Sequence, residues 1–446
     1  MTKKFDYIVL GSGPAAYGLT TALKETGSTK TALIVDNDLF GGTCPNYGCE
    51  PKIFLEGAVR NVLIARQLQG RGLQQSATID WSTLMATKKA TFAPYPANAQ
   101  AAFNTDYVQT LQGTASFVDS QTVQVNGQSY RADKIVIATG VKAHQLAIPG
   151  QELTHSSNDV LDLADLPQRV TFIGGGYVSM ELATVLNAAG AEVTIIEHAP
   201  SALGAFYKGH VDVVVSQMKA RGIKFHFGQS VNGVKRQESA FQVTTAEGLQ
   251  VETDYVVDAT GRTPNVDRLN LAAAGVANDR QGILVDDHLQ TNVAGIYAAG
   301  DVVKKDPTIA PRLTPVAQFE GAYLAGEMAA PIAYPVTGTG SFTFPQIAQV
   351  GVSVDAAVQD DQYRVKKLAL QPDFAYAGTN DQNAELIGIF DRDGRLVGAS
   401  EVSQTATDDM NHLVSVIGLG LTAKDFQERQ IMIFPTLATK LKEFLA

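Results

Sequence analysis

GGTCPNYGCEPK, residues 41–52, holds both cysteines of a 446-residue chain. Cys44 and Cys49 stand five positions apart in glycine-rich surroundings, where a helix is expected to begin. In a regular helix five residues rise ~7.5 Å, and with the sideways offset the two Cα atoms would stand roughly 8–9 Å apart. A disulfide spans at most ~7 Å, so regular helix cannot join them. The intervening residues suit a distorted helix entrance. Pro45 gives up an amide that a first turn does not use, and Gly48 relaxes the backbone beside Cys49. A helix N-terminus also favours the thiolate, which is the reactive form of cysteine. A zinc site needs about four ligands, and the first histidine of the chain is His144. Two scattered structural thiols are the other alternative. A redox-active pair accounts for the spacing best.

Composition narrows the setting. The formal charge of −10 argues against nucleic acid and anionic membrane partners. No apolar run approaches the ~18 residues of a membrane span. In MTKKFDYIVLGSG, Asp6 interrupts the apolar run and glycines end it early, which reads as a strand and not a targeting segment. Two cysteines in so long a chain fit a reducing cytoplasm, where a disulfide is more often catalytic than structural.

Strand, glycine turn, helix and strand follow one another in 4–36, and again in 169–197. Gly11 and Gly174, which open the two glycine clusters, are 163 residues apart, and each unit leads to an Ala-Thr-Gly element, at 138–140 and 259–261. This internal duplication is the strongest large-scale signal. Helical stretches are expected around 50–67, 81–103, 208–221 and 315–329. Residues 331–340 resemble a linker, and about 341–446 alternate strands with helices and lack a glycine fingerprint, as a separate α+β domain would.

Gly11-Ser12-Gly13-Pro14-Ala15-Ala16 follows a strand and opens a helix. Gly11 allows the tight turn, Gly13 lets backbone approach a pyrophosphate, and Ala16 permits close helix–strand packing. Asp36 ends the next strand, where a carboxylate binds ribose hydroxyls. The second cluster runs Gly174-Gly175-Gly176-Tyr177-Val178-Ser179, with Glu197 closing the following strand. A carboxylate there accepts the 2′- and 3′-hydroxyls and repels a 2′-phosphate. No arginine falls within ten residues after it, and the next cation is Lys208. NADH is therefore expected in preference to NADPH; a solvated strand-end glutamate is the plainer alternative.

Taken together, these residues resemble the FAD-dependent pyridine nucleotide–disulfide oxidoreductases, the class of glutathione reductase, dihydrolipoamide dehydrogenase and mercuric reductase. GGTCPNYGC matches the family's G-G-T-C-x-N-x-G-C signature. IVIATG with Thr139, the second fingerprint, ATGRTPN (259–265), AAGDV with Asp301, LTPVA (313–317) and FTFPQIAQVG (342–351) follow in family order. The resemblance implies an α/β fold with two Rossmann-like dinucleotide-binding domains, for FAD (1–147 and 258–330) and NAD (148–257), and an α+β dimerisation domain over 335–446. It implies a homodimer that acts on a small-molecule oxidant.

It also implies roles by position. FAD would be held by Gly11, Gly13, Pro14, Ala15, Asp36, Gly42, Thr43, Lys52, Ala115, Thr139, Gly140, Gly300, Asp301, Thr314, Pro315 and Ala317, and Gly261 would serve the nicotinamide cofactor. Asp301 would contact its ribityl–pyrophosphate region. NADH would lie on Gly174, Gly176, Tyr177, Val178 and Glu197, with no metal required. Hydride from NADH would reach flavin N5, and electrons would pass to Cys49 beside the isoalloxazine. Cys44 would then meet the substrate by thiol–disulfide exchange. Glu181 occupies the position of the family's glutamate near the nicotinamide.

Three departures bear on the substrate. The family's H-P-T-x-x-E reads Phe434-Pro435-Thr436-Leu437-Ala438-Thr439 here. Phenylalanine carries no proton, and general acid–base help is worth ~10²–10⁴-fold. The family lysine four residues after the second cysteine is Ile53, with Lys52 one position earlier, so Glu181 is expected to lack its usual partner. Tyr47 stands between the cysteines, as packing or as a substitute hydroxyl. The leading expectation is an NADH-dependent flavoenzyme whose disulfide serves an unusual disulfide or another acceptor, such as a quinone or metal ion. A glutathione-reductase-like enzyme with another proton source, and a flavin-binding redox sensor, are the alternatives.

Overall fold

The computed structural model describes residues 3–75, 77–429, 431, 433–434 and 444–445. Its chain divides into two units. One comprises residues 1–52, 86–144 and 261–334, and the other 53–85, 145–260 and 335–446.

The first unit is built on a mainly parallel sheet. Strand β1 (Lys3–Leu10) lies at its middle, between β2 (Ala32–Asp36) and the strand Gln128–Ile137. Val108–Gln112 extends the sheet beyond β2. Thr122–Val125 and Ala115–Asp119 add an antiparallel flap, and Ile296–Ala298 pairs parallel with the end of Gln128–Ile137. The burial of β1 explains its position: Ile8, Val9 and Leu10 are all buried, as a strand covered on both faces requires. Helix α1 (Pro14–Glu25) follows the glycine turn with proline in its first turn, where the missing amide costs no helical bond. Its closest neighbour is the helix Thr314–Ala325. A Cβ on Gly321 would come within 1.9 Å of the Ala15 carbonyl oxygen, and one on Gly18 within 2.0 Å of the Gln318 carbonyl oxygen. The two helices thus meet backbone to backbone.

The second unit contains a four-stranded parallel sheet in the order Lys224–Phe227, Glu192–Glu197, Arg169–Ile173, Tyr255–Asp258. The helix Tyr177–Ala189 buries Met180, Leu182, Ala183, Val185 and Leu186 in the core beside it. A three-stranded antiparallel sheet covers 231–253. Residues 338–403 form a five-stranded antiparallel sheet, on which the amphipathic helix Ala406–Gly418 packs through Met410, Leu413 and Val416.

The helical stretch expected over 81–103 is two helices, Trp81–Phe92 and Tyr95–Phe103. Pro94 lacks an amide and disfavours helical geometry in the residue before it, which ends the first helix. The expected 315–329 helix runs Thr314–Ala325.

Candidate active site

The two cysteines lie on separate helices. Helix α2 (Thr43–Tyr47) makes little more than one turn, and α3 (Cys49–Gln67) begins at the second cysteine. Gly48 separates them at φ −139°, ψ −116°, a backbone setting outside the helical region. The geometric objection to a single helix is therefore resolved by a break at the glycine. Asn46 holds the preceding loop closed: its side-chain amide donates to the Gly42 carbonyl at 2.8 Å and to the Phe40 carbonyl at 3.0 Å.

Both thiols are free and hydrogen-bonded to each other. Cys49 Sγ also lies 3.6 Å from Thr314 Oγ1. The hydrogen bond from Cys44 pulls the Cys49 thiol down to about 6, assisted by Thr314 and by the charge of Lys52. Cys44 moves the opposite way: it supplies the proton that stabilises its neighbour, and burial adds to the upward shift. These opposite shifts favour the thiolate at Cys49 and the thiol at Cys44. Tyr47 turns its hydroxyl to the Asp38 carboxylate at 3.1 Å. That hydroxyl is committed to a surface contact, so the idea of a substitute proton donor has no support from it.

The first unit holds all of the residues expected to bind FAD. Ser12 knits them together, a role the sequence did not announce. Its amide and hydroxyl donate to Asp36 Oδ2 at 2.8 and 2.6 Å, and its oxygen accepts from the Gly41 amide at 3.0 Å. A Cβ on Gly11 would strike the Ala138 carbonyl oxygen at 2.3 Å, and one on Gly42 the Gly13 Cα at 2.6 Å. The N-terminus of α1 has no side-chain cap, which leaves its positive end available to an anion. Thr139 Oγ1 is buried without a partner among the described residues. Bare glycine backbone, an uncapped helix end, a strand-end carboxylate and an orphaned buried hydroxyl fit a dinucleotide cofactor. Gly140 and Gly300 adopt φ of +64° and +78°, and Ala115 and Ala317 are buried. Burial raises the Asp301 carboxyl, against the pull of Lys305, Arg262 and Arg312.

The residues expected to take the nicotinamide cofactor lie in the second unit, except Gly261. Glu197 is nearly enclosed. It accepts from the Gly175 amide and, at 2.7 Å, from the Ala199 amide. His198 Nδ1 sits 2.8 Å from Oε1, the oxygen that also accepts from Ala199. Glu197 is thus a fixed part of the turn and not the solvated strand-end group of the plainer reading. Tyr177 is exposed at the uncapped start of its helix. Glu181 is buried, and its Oε1 accepts from the Phe342 amide at 2.8 Å and Ser341 Oγ at 3.2 Å. Backbone and hydroxyl donors thus serve Glu181, a pairing the sequence did not announce.

Phe434 is exposed, with its ring centroid 6.2 Å from that of Phe374. Thr439, the other half of the altered motif, lies outside the described residues. Among the described residues, the one cluster with metal-ligand composition is Asp286, Asp287 and His288 on an exposed turn, and Asp286 already caps that turn. Among the described residues no helix is long and apolar enough to cross a membrane.

The model of the pyridine nucleotide-disulphide oxidoreductase family matches residues 5–321, and that of its dimerisation domain matches 338–445. The chain is 32% identical to glutathione reductase of Burkholderia cepacia over 97% of both sequences. It is 30% identical to dihydrolipoyl dehydrogenase of Haloferax volcanii, covering 98% of this chain and 95% of that one. It is also 30% identical to mercuric reductase of Lysinibacillus sphaericus, covering 98% and 81%. The solved structure of the HOCl-induced flavoprotein disulfide reductase RclA from Escherichia coli superimposes with a TM-score of 0.86, at 22% identity, over 98% of this chain and 99% of that one.

Proposed function

Since the chain belongs to the pyridine nucleotide-disulphide oxidoreductase family, we propose that it is an NADH-preferring FAD enzyme that uses Cys44 and Cys49 to reduce an acceptor that needs no imidazole. The observation that carries this reading is the pair of neighbouring free thiols, with Cys49 Sγ 3.6 Å from Thr314 Oγ1, in a chain with Phe434 at the family's histidine position.

We assign FAD to domain 1–147 and 258–330, NADH to 148–257, and the homodimer contact to 335–446, in the cytoplasm. The bound flavin supplies the two-electron relay between nicotinamide and dithiol. The chain's own residues do the rest. Gly11, Gly13, Asp36 and Thr139 offer donors and space to the dinucleotide. Thr314 and Lys52 hold Cys49 as thiolate. With a disulfide RS–SR as acceptor, the Cys44 sulfur would attack one sulfur as its proton passes to Cys49; the S–S bond breaks and RS⁻ leaves, and Cys49 then attacks Cys44, giving up that proton, so that the pair closes to a disulfide and one thiol and one thiolate depart. That local transfer stands in for the absent imidazole. Glu197, rigid and anionic, disfavours a 2′-phosphate, which supports NADH.

Steady-state turnover of the flavin-loaded protein tests the assignment, with NADH against NADPH and with glutathione disulfide, lipoamide, a quinone, Hg(II) and Cu(II) as acceptors. A solved neighbour, RclA, is described as a Cu(II) complex, which places that ion on the panel. NADH should give the higher kcat/KM, and Cys44→Ser should abolish turnover with the preferred acceptor. Equal rates with every acceptor after that substitution would remove the dithiol from the reaction. High glutathione disulfide turnover in the parent would favour a glutathione reductase with another proton source.

A further inference from the structure

Beneath the turn that carries Asp301 lies an ion pair that the catalytic reading does not use. Gly300 opens a 3₁₀ turn, Gly300–Val302, and its bare Cα is wedged between helices: a Cβ there would lie 3.5 Å from that of Ala317 and 3.8 Å from that of Ala15. The Gly300 amide donates to Glu320 Oε2 at 2.6 Å. Glu320 is fully buried on the helix that Thr314 begins. Its other oxygen accepts from Lys305 Nζ at 2.7 Å and from the Tyr334 hydroxyl at 2.8 Å. The Lys305 side chain is only 8% exposed.

A carboxylate without water must be satisfied by fixed donors, and Glu320 has three, two from the 300–305 stretch and one from Tyr334. Such a pair gives little net stability, because desolvating both charges offsets their attraction. Its value lies in geometry: it ties one backbone amide of the turn to one helix position.

We propose that Lys305, Glu320 and Tyr334 are positioning residues that hold the Gly300–Asp301 turn in the shape required to bind FAD. This rests on the assignment of Asp301 to the flavin's ribityl–pyrophosphate region. Lys305 has a second effect. The charged groups facing Asp301 are Lys305 on its own loop, Arg262 on the Arg262–Pro264 strand, Arg312 before the helix and Glu320 on it. Burial raises the Asp301 carboxyl, and Lys305 is the leading opposing charge. Without Lys305, Asp301 keeps its proton to higher pH and loses acceptor strength toward a hydroxyl.

The test is the FAD dissociation constant of the full-length protein, read from flavin fluorescence released on serial dilution of the holoenzyme at pH 5.5–8.5. Lys305→Met should weaken FAD by about tenfold or more, since it strands a buried carboxylate. The deficit should be largest at the acid end, with its midpoint moved upward. Lys305→Met with Glu320→Gln should recover most of the affinity by removing both charges. Asp301→Asn should weaken FAD and abolish the pH dependence. If Lys305→Met fails to fold, Tyr334→Phe decides: loss of one hydrogen bond should weaken FAD about two- to tenfold while the melting temperature of the FAD-saturated protein stays within a few degrees. Unchanged affinity in Lys305→Met, or in Tyr334→Phe where that variant decides, would overturn the positioning role while leaving Asp301 at the flavin. Unchanged affinity in Asp301→Asn would overturn the assignment of Asp301 itself, and the proposal with it.

Discussion

Thr314 Oγ1 stands 3.6 Å from Cys49 Sγ, joining the first turn of one helix to the first residue of another. The threonine hydroxyl can donate to sulfur, so it favours the charged form. Thiolate absorbance of the reduced protein should rise through an apparent midpoint of about 6. In Thr314→Val the midpoint should move upward by roughly half to one pH unit, the worth of one hydrogen bond. Ultraviolet titration at 240 nm, checked by iodoacetamide labelling rates, measures both. An unmoved midpoint would mean that Thr314 does not touch the thiolate.

Restoring the lost acid–base pair should change the substrate. Phe434→His with Thr439→Glu is expected to raise glutathione disulfide or lipoamide reduction by about 10²-fold. Turnover with an acceptor that takes no proton from the enzyme should change little. Kinetics on the parent and the double variant decide it.

Buried carboxyls give the 335–446 region an unusual pH response. Glu401 is fully buried and its Oε2 has no hydrogen-bond donor among the described residues. Burial first, and then the charge of Asp409, raise it well above the usual range; Asp409 is raised as well, chiefly by burial. Burial also takes Asp381 up to about 6. Unfolded carboxyls titrate near 4, so above that pH the native state binds more protons than the unfolded one. Stability should therefore fall as pH rises from about 4, with the Asp381 contribution complete a little above 6. Glu401→Gln should flatten the remaining slope and raise the urea midpoint at pH 8.

Two glycines should respond in opposite senses to the same change. Gly321→Ala forces a methyl group onto the Ala15 carbonyl and should cost about 1–3 kcal/mol or more. Gly57 lies inside α3 with nothing within 4 Å of an added Cβ. There alanine should gain about 0.5–1 kcal/mol through helix propensity. Denaturant midpoints of the two variants give the comparison.

Much of this was legible in the sequence because its signals are local. Turn glycines at 11 and 174, Pro14 in a first turn and the carboxylates at 36 and 197 follow from a few neighbouring residues each. So did the distorted entrance between Cys44 and Cys49, from helix rise and disulfide reach alone. What stayed hidden depends on contacts distant in sequence. Ser12 joins Asp36 and Gly41; Glu181 finds donors at 341 and 342; Glu320 reaches back to Gly300. No periodicity encodes such pairings. The division of 81–103 into two helices was missed for a different reason: the apolar pattern runs on through Pro94, but the backbone does not.

The break at Gly48 has a consequence for repeated turnover. Because α2 ends there, the sulfur bond can form and open through a six-residue hinge, 44–49, while the nineteen-residue rod behind Cys49 keeps its register. On the proposed reading, the movement of each redox cycle would fall on residues 44–48, ahead of the first residue of that helix.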